Sequence, residues 1–92
     1  MLDKIPVGSL SLNNVDINVT LLTLGQEAPK GECVKAIYND GEWLSVVDME
    51  SQPVDPLLRK IVLDYCLKNF PRESIKQDQL VLYFILEEEE ND

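Results

Sequence analysis

The chain contains no histidine among its 92 residues. Histidine is the side chain whose ordinary pKa lies closest to neutral pH, so Ser–His and Cys–His catalytic pairs and histidine-containing metal sites are excluded. The serines have no nucleophile motif around them, and the four glycines are assigned to turns and loops rather than to a phosphate-binding loop. We therefore predict that the protein is not an enzyme and that it uses no cofactor.

Cysteine is also scarce. Cys33 and Cys66 are far apart and outside any C-x-x-C pair, so we predict two reduced, buried thiols that serve packing. Two carboxylate pairs near one predicted hairpin are the other candidates for chemistry: Asp40 with Glu42, and Asp48 with Glu50. Carboxylates in turns and at strand ends are usually solvated, and these lack the ligand spacing of a calcium loop, so we predict no metal site.

Basic residues are few, with 8 against 17 acidic residues and a net charge of −9. Five of the acids fall in the last six residues, 87–92. The scarcity of clustered Lys and Arg argues against direct binding of nucleic acid or an anionic membrane and favours a protein partner with a basic surface. No apolar run reaches the roughly 20 residues of a membrane span, and the N-terminal residues lack the basic region and apolar run of a signal peptide, so we expect a cytoplasmic protein.

Two β-hairpins are predicted, over residues 9–21 and 33–49. In the first, Leu10 and Leu12 alternate with serines, and Asn13-Asn14 supplies residues that tolerate a tight turn. In the second hairpin the turn is predicted at Asp40-Gly41, and this dipeptide between two β-rich runs is the strongest local signal in the chain. A loop is predicted between the hairpins, because residues 25–31 hold two glycines and a proline.

A helix is predicted from about Pro56 to Asn69, with Asp55 as its N-cap and Pro71 beyond its end. Spacing at 100° per residue indicates a core-facing group, which we assign to Leu58, Ile61, Val62 and Tyr65.

The last predicted strand, 80–86, is a continuous apolar run, which is typical of a central strand covered on both faces. The predicted fold class is therefore α+β, a mostly antiparallel sheet of about five strands in β-β-β-β-α-β order with one main helix on one face. The final strand would insert between or beside the hairpins, and strand order stays open. Residues 1–86 are predicted to form one domain and 87–92 a disordered acidic tail.

Three features are candidates for a binding surface: a second apolar group on the helix, a tryptophan just after the hairpin turn, and the acids of the second hairpin and the tail. The helix group could be covered by residues 71–79 or by the N-terminal arm, or could form a protein interface, including a homodimer contact. The tryptophan could be core or a binding anchor. The residues are Leu63, Leu67, Phe70, Trp43, Asp40, Glu42, Asp48, Glu50, Glu87, Glu88, Glu89 and Glu90.

The leading functional hypothesis is a non-enzymatic protein-binding module that regulates, adapts or inhibits a larger protein or assembly. The alternative is a nucleic-acid mimic, of the kind found in phages and mobile elements, that inhibits a DNA- or RNA-binding enzyme. A mimic needs acids spread across one face, and the candidates between residues 16 and 50 are Asp16, Glu27, Glu32, Asp40, Glu42, Asp48 and Glu50. An enzyme that uses only carboxylates or a thiol would require a deep pocket with converging groups.

Overall fold

The computed structural model describes residues 4–22 and 32–88 and shows one sheet with one α-helix packed on it. The elements are β1 (Lys4–Leu12), β2 (Val15–Leu22), β3 (Cys33–Asn39), β4 (Glu42–Asp48), α1 (Pro56–Asn69), a short 3₁₀ turn (Arg72–Ser74) and β5 (Gln79–Glu88). The strand order is β1-β2-β5-β3-β4, and every neighbouring pair is antiparallel. The predicted α+β class and element order are confirmed.

Both hairpins turn where the sequence predicts. Asn13 and Asn14 have φ of 52° and 66°, and Asp40 and Gly41 have φ of 50° and 94°. Positive φ at both central residues is the backbone of the tight turn that matches the twist of two antiparallel strands. Each edge strand also contains an irregularity, beside Pro6 and Gly8 in β1 and opposite the Ile37–Tyr38 step in β4. Gly8 lies within β1 and not in a loop.

Helix α1 begins and ends at the predicted residues. The Asp55 carboxylate accepts a hydrogen bond from the Leu57 N–H at 2.9 Å, and Pro56 occupies the first turn, where no N–H is required. Leu58, Val62 and Cys66 are buried against the sheet. The predicted residues Ile61 and Tyr65 flank them and pack at the border of the core.

Strand β5 inserts between the two hairpins, because it pairs with β2 on one side and β3 on the other. Its residues Leu82 and Phe84 are 1% and 0% exposed and lie at the centre of the core beneath α1. The strand extends beyond the predicted limit at Leu86: Glu87 pairs with Asn18 and Glu88 with Ile17. Backbone pairing with β2 thus carries the first two residues of the predicted tail into the sheet, while residues 89–92 lie outside the described residues.

Truncating a buried and an exposed leucine of α1 should separate core packing from surface effects. Leu58 is 3% exposed and Leu67 is 60% exposed. We expect Leu58→Ala to lower the free energy of unfolding by about 2–5 kcal/mol, since it removes buried methyl groups and leaves a cavity. Leu67→Ala should change it by no more than about 0.5 kcal/mol. Urea denaturation measures both, and an equal cost for the two variants would contradict the packing of α1 described here.

Candidate functional site

Trp43 packs against the border of the core. Its indole Nε1 donates a hydrogen bond to the Phe70 carbonyl oxygen at 3.1 Å. Its ring meets Tyr38 edge to face, with centroids 5.3 Å apart and planes at 63°. The half-buried tryptophan therefore connects β4 to the end of α1 through this hydrogen bond.

The second apolar group of the helix is divided by the fold. Leu63 and Phe70 are half-buried and pack against the core, and Phe70 also contacts Tyr65 with ring centroids 6.2 Å apart. Only Leu67 of the three is exposed. Periodicity showed that this side of the helix is apolar, but it could not show that β4 and Trp43 lie beside it.

The acids of the second hairpin form two separate groups. Asp40 and Glu42 lie at the turn, and Asp48 and Glu50 lie at the opposite end of β4. Glu42 and Asp48 are the first and last of the seven residues of β4, so the two groups lie about 20 Å apart. The cations Arg72 and Lys76 line the same depression as Asp40, so the turn end carries mixed charge.

Asp48 has a structural role in the turn that follows β4. Its Oδ1 accepts hydrogen bonds from the backbone N–H groups of Glu50 and Gln52, at 2.8 and 2.9 Å. Its own N–H donates to the Gln52 carbonyl at 2.9 Å, and Ser51 takes a φ of 63° within the turn. The Asp48 Oδ1 thus stabilises the turn by accepting two backbone hydrogen bonds.

The two acids of the predicted tail that the structure describes lie at one end of the sheet. Glu87 and Glu88 are exposed residues of β5, whereas Glu89 and Glu90 lie outside the described residues. Asp16 is also exposed, on β2 near the same end. This end of the sheet therefore collects negative charge from two neighbouring strands.

The feature that sequence reasoning missed is the sheet face opposite α1, which we call the open face. No element among the described ranges 4–22 and 32–88 packs across its centre, whereas Cys33 and Leu22, which share this face near Ile85, are buried. Cross-strand partners share a face, and the pairs Ile37–Val81, Lys35–Tyr83 and Lys35–Val47 place these residues together. Its centre is an apolar row formed by Ile37, Val47, Val81, Tyr83 and Ile85.

The apolar row is partly accessible. Val81 is 39% exposed, and the other four members are half-buried. The signal for it was present in the run 80–86, because consecutive apolar residues in a strand point to both faces and only one helix was predicted to cover them. The sequence interpretation assumed that both faces would be covered, whereas α1 covers one.

The two thiols are unsuited to nucleophilic chemistry. Burial raises the pKa of Cys66 to about 12. Burial also raises the pKa of Cys33, and the positive charge of Lys35 offsets only part of that effect. Both cysteines are buried and unpaired, as predicted. Within the described part of the chain, no three His, Cys, Asp or Glu side chains come together as a metal site.

Cys66 should resist modification in the folded protein. In a Cys33→Ala variant, alkylation at pH 8 should be slower than in urea by on the order of a hundredfold, because the buried thiol stays protonated and reacts only on opening. A matched control is Cys66→Ala, in which Cys33 is the reporter. Rapid native alkylation of Cys66 would contradict its burial.

The same thiol should contribute to stability at high pH with a defined sign. The folded pKa of about 12 lies above the ordinary value of 9.0, so the folded chain retains a proton that the unfolded chain loses. This contribution is complete below pH 9 and declines as pH rises toward about 12. The free energy of unfolding should therefore fall more steeply over that range in the wild type than in Cys66→Ala, and equal slopes would contradict the raised pKa.

Comparisons with known proteins leave the function to be argued from the chain itself. No protein-family model, curated protein sequence or solved structure matches it. Among the described residues, no helix is long and apolar enough to cross a membrane. The surfaces of the folded chain, rather than a relative, are therefore the basis for a functional argument.

Proposed function

We propose that this protein is a non-enzymatic protein-binding module that regulates, adapts or inhibits a larger partner, and that the open face is its main contact surface. The observation that carries the proposal is the accessible apolar row on that face. A sheet normally buries apolar faces against a second layer. Here α1 supplies that layer on one side, and a partner protein supplies it on the other.

The charges around the apolar row define the partner's chemistry. Asp16 and Glu87 lie on the open face toward the end of β5, and Glu42 lies toward the other end. Lys35 stands within the row, beside Tyr83 and Val47. The partner surface that fits has an apolar centre and Lys or Arg at its margin. This agrees with the net charge of −9, which favours encounter with basic proteins.

The size of the open face limits the kind of complex. Five strands about 4.8 Å apart and about six residues long give a face of roughly 20 by 20 Å. Specific interfaces bury roughly 600–1,000 Å² on each partner. The acidic margins must therefore join the apolar row in contact, so the complex combines an apolar centre with a salt-sensitive rim.

The nucleic-acid mimic receives less support from the arrangement of charges. A mimic would present acids along one continuous face at phosphate-like spacing. The hairpin acids lie about 20 Å apart at the two ends of β4, and the Asp48 carboxylate already accepts two backbone hydrogen bonds. The protein-binding module is therefore the function that we propose.

A charge placed in the apolar row should abolish partner binding. Val81→Lys introduces an ammonium that the complex would have to desolvate, so we expect the affinity to fall at least about tenfold. The partner would be captured from the source cell with the wild-type chain, identified by mass spectrometry, purified and titrated by calorimetry. Circular dichroism and thermal melting would check that each variant folds.

Leu67→Lys is the matched control, since Leu67 is an exposed apolar residue on the helix side of the sheet. It should leave the affinity unchanged. Loss of binding in Leu67→Lys but not in Val81→Lys would move the contact to the helix. Full binding by both variants would contradict an apolar contact on the open face. Absence of any partner, with a monomer in sedimentation, would contradict the module itself.

A further inference from the structure

We infer that the free edge of β1, together with the groove beside α1, binds an extended peptide segment of another protein by β-strand addition. This site is separate from the open face and does not depend on the proposal above. Strand β1 is at one end of the sheet order, and no described strand pairs with its outer edge. The outward N–H and C=O groups of an edge strand are a template with which an extended chain can pair.

The hairpin register shows which backbone groups point outward. In a two-residue hairpin the flanking residues, here Leu12 and Val15, form a hydrogen-bonded pair, and pairs then alternate along the strands. Leu10 and Gly8 therefore bond inward to β2. The N–H and C=O groups of Ser9 and Ser11 face outward, where an incoming strand would pair with them.

A groove lies beside this edge on the helix side of the sheet. It has a volume of about 550 Å³ and is lined by Val7, Gly8 and Ser9 of β1 and by α1 residues that include Ile61, Tyr65 and Lys68. An added strand would place the residue opposite Gly8 on the helix side. Ile61 already lies 3.6 Å from the position that a Cβ would take at Gly8, so an apolar side chain opposite Gly8 would pack in the groove alongside the half-buried Ile61 and Tyr65.

The other edge of the sheet is less suited to addition of a strand. At the end of β4, Val47 forms a bridge with Pro53, and the Asp48 N–H donates to Gln52. An irregularity in pairing interrupts β4 next to Trp43. In β1 the corresponding irregularity lies beside Pro6, which leaves a regular segment from Gly8 to Leu12.

A second copy of this chain fits the groove poorly. Pairing two β1 edges through Ser9 and Ser11 would bring Leu10 and Leu12 of the second strand toward the groove. Leu10 is 7% exposed, and Leu12 packs against the same core, so both side chains are already engaged in their own domain. Two chains of net charge −9 also repel each other, whereas a peptide flanked by Lys or Arg is attracted.

The test uses short random peptides displayed on phage and selected on the full-length chain. Selected peptides are synthesised, and their affinities are measured by fluorescence anisotropy. Ser9→Pro removes one outward N–H without removing a bond to β2, so it should weaken binding by about tenfold or more. The matched control Ser9→Ala keeps that N–H and should change the affinity by no more than about twofold.

Amide hydrogen exchange in the wild-type chain provides a measurement that does not rely on the proline variant folding. Saturation with a selected peptide should slow exchange of the Ser9 and Ser11 amides, while the Leu10 amide, which already bonds to β2, should be protected with and without peptide. Unchanged exchange at Ser9 and Ser11, or a selection that yields no peptides, would overturn the inference.

Two further outcomes identify other occupants. A sedimenting dimer whose Ser9 and Ser11 amides are protected without peptide would assign the edge to a second copy and overturn the inference. Val81→Lys should leave peptide binding intact. If it abolishes binding while Ser9→Pro does not, the peptide lies on the open face, which overturns this site and supports the proposed function.

Discussion

The rest of the structure depends on the pairing of β5 with two strands that precede it by dozens of residues. Each hairpin is local and can form around its own turn, but a two-stranded hairpin is marginally stable alone. Strand β5 joins β2 to β3 and brings Leu82 and Phe84 to the centre of the core. Helix α1 then packs over a continuous sheet, and its Tyr65 ring meets Phe84 edge to face with centroids 6.2 Å apart. Loss of this central pairing would leave two separate hairpins and no common core.

A sheet built around such a strand has two apolar faces and two edges. Among the described residues, α1 covers only one of the two faces. On the helix side, burial is complete at Val62, Ala36 and Phe84. On the other side, the alternation of β5 points Val81 and Tyr83 away from α1. The two edges also differ. The turn after β4 covers part of the β4 edge, and no described element covers the β1 edge. Both proposed contacts thus follow from one constraint: the described part of this chain has one helical layer for a two-sided sheet.

Local features of the fold could be predicted from the sequence, and long-range ones could not. The turns at Asn13-Asn14 and Asp40-Gly41 and the cap at Asp55 depend on a few neighbouring residues, so their residue types indicate them. The place of β5 depends on pairing with distant strands, which no local pattern encodes. Leu63 and Phe70 are half-buried and Leu67 is exposed because of where β4 lies beneath the helix, which the periodicity of the helix does not reveal. The open face was predictable only by counting layers against apolar faces, and the β1 edge only after the strand order was known.

The charge distribution bears on which chains can approach the open face and the outer edge of β1. Residues 5–15, which include most of β1, contain no charged side chain, although charged residues make up 27% of the chain. An uncharged edge strand is normally a site of unwanted pairing, which proteins suppress with charges on the strand itself. In this chain the repulsion comes instead from the net charge of −9. The electrostatic field of this net negative charge repels a second copy and any acidic chain, and it attracts a basic chain. A charge within the segment from Gly8 to Leu12 would oppose pairing at the edge itself, whereas the charge on the rest of the domain selects among incoming strands by sign.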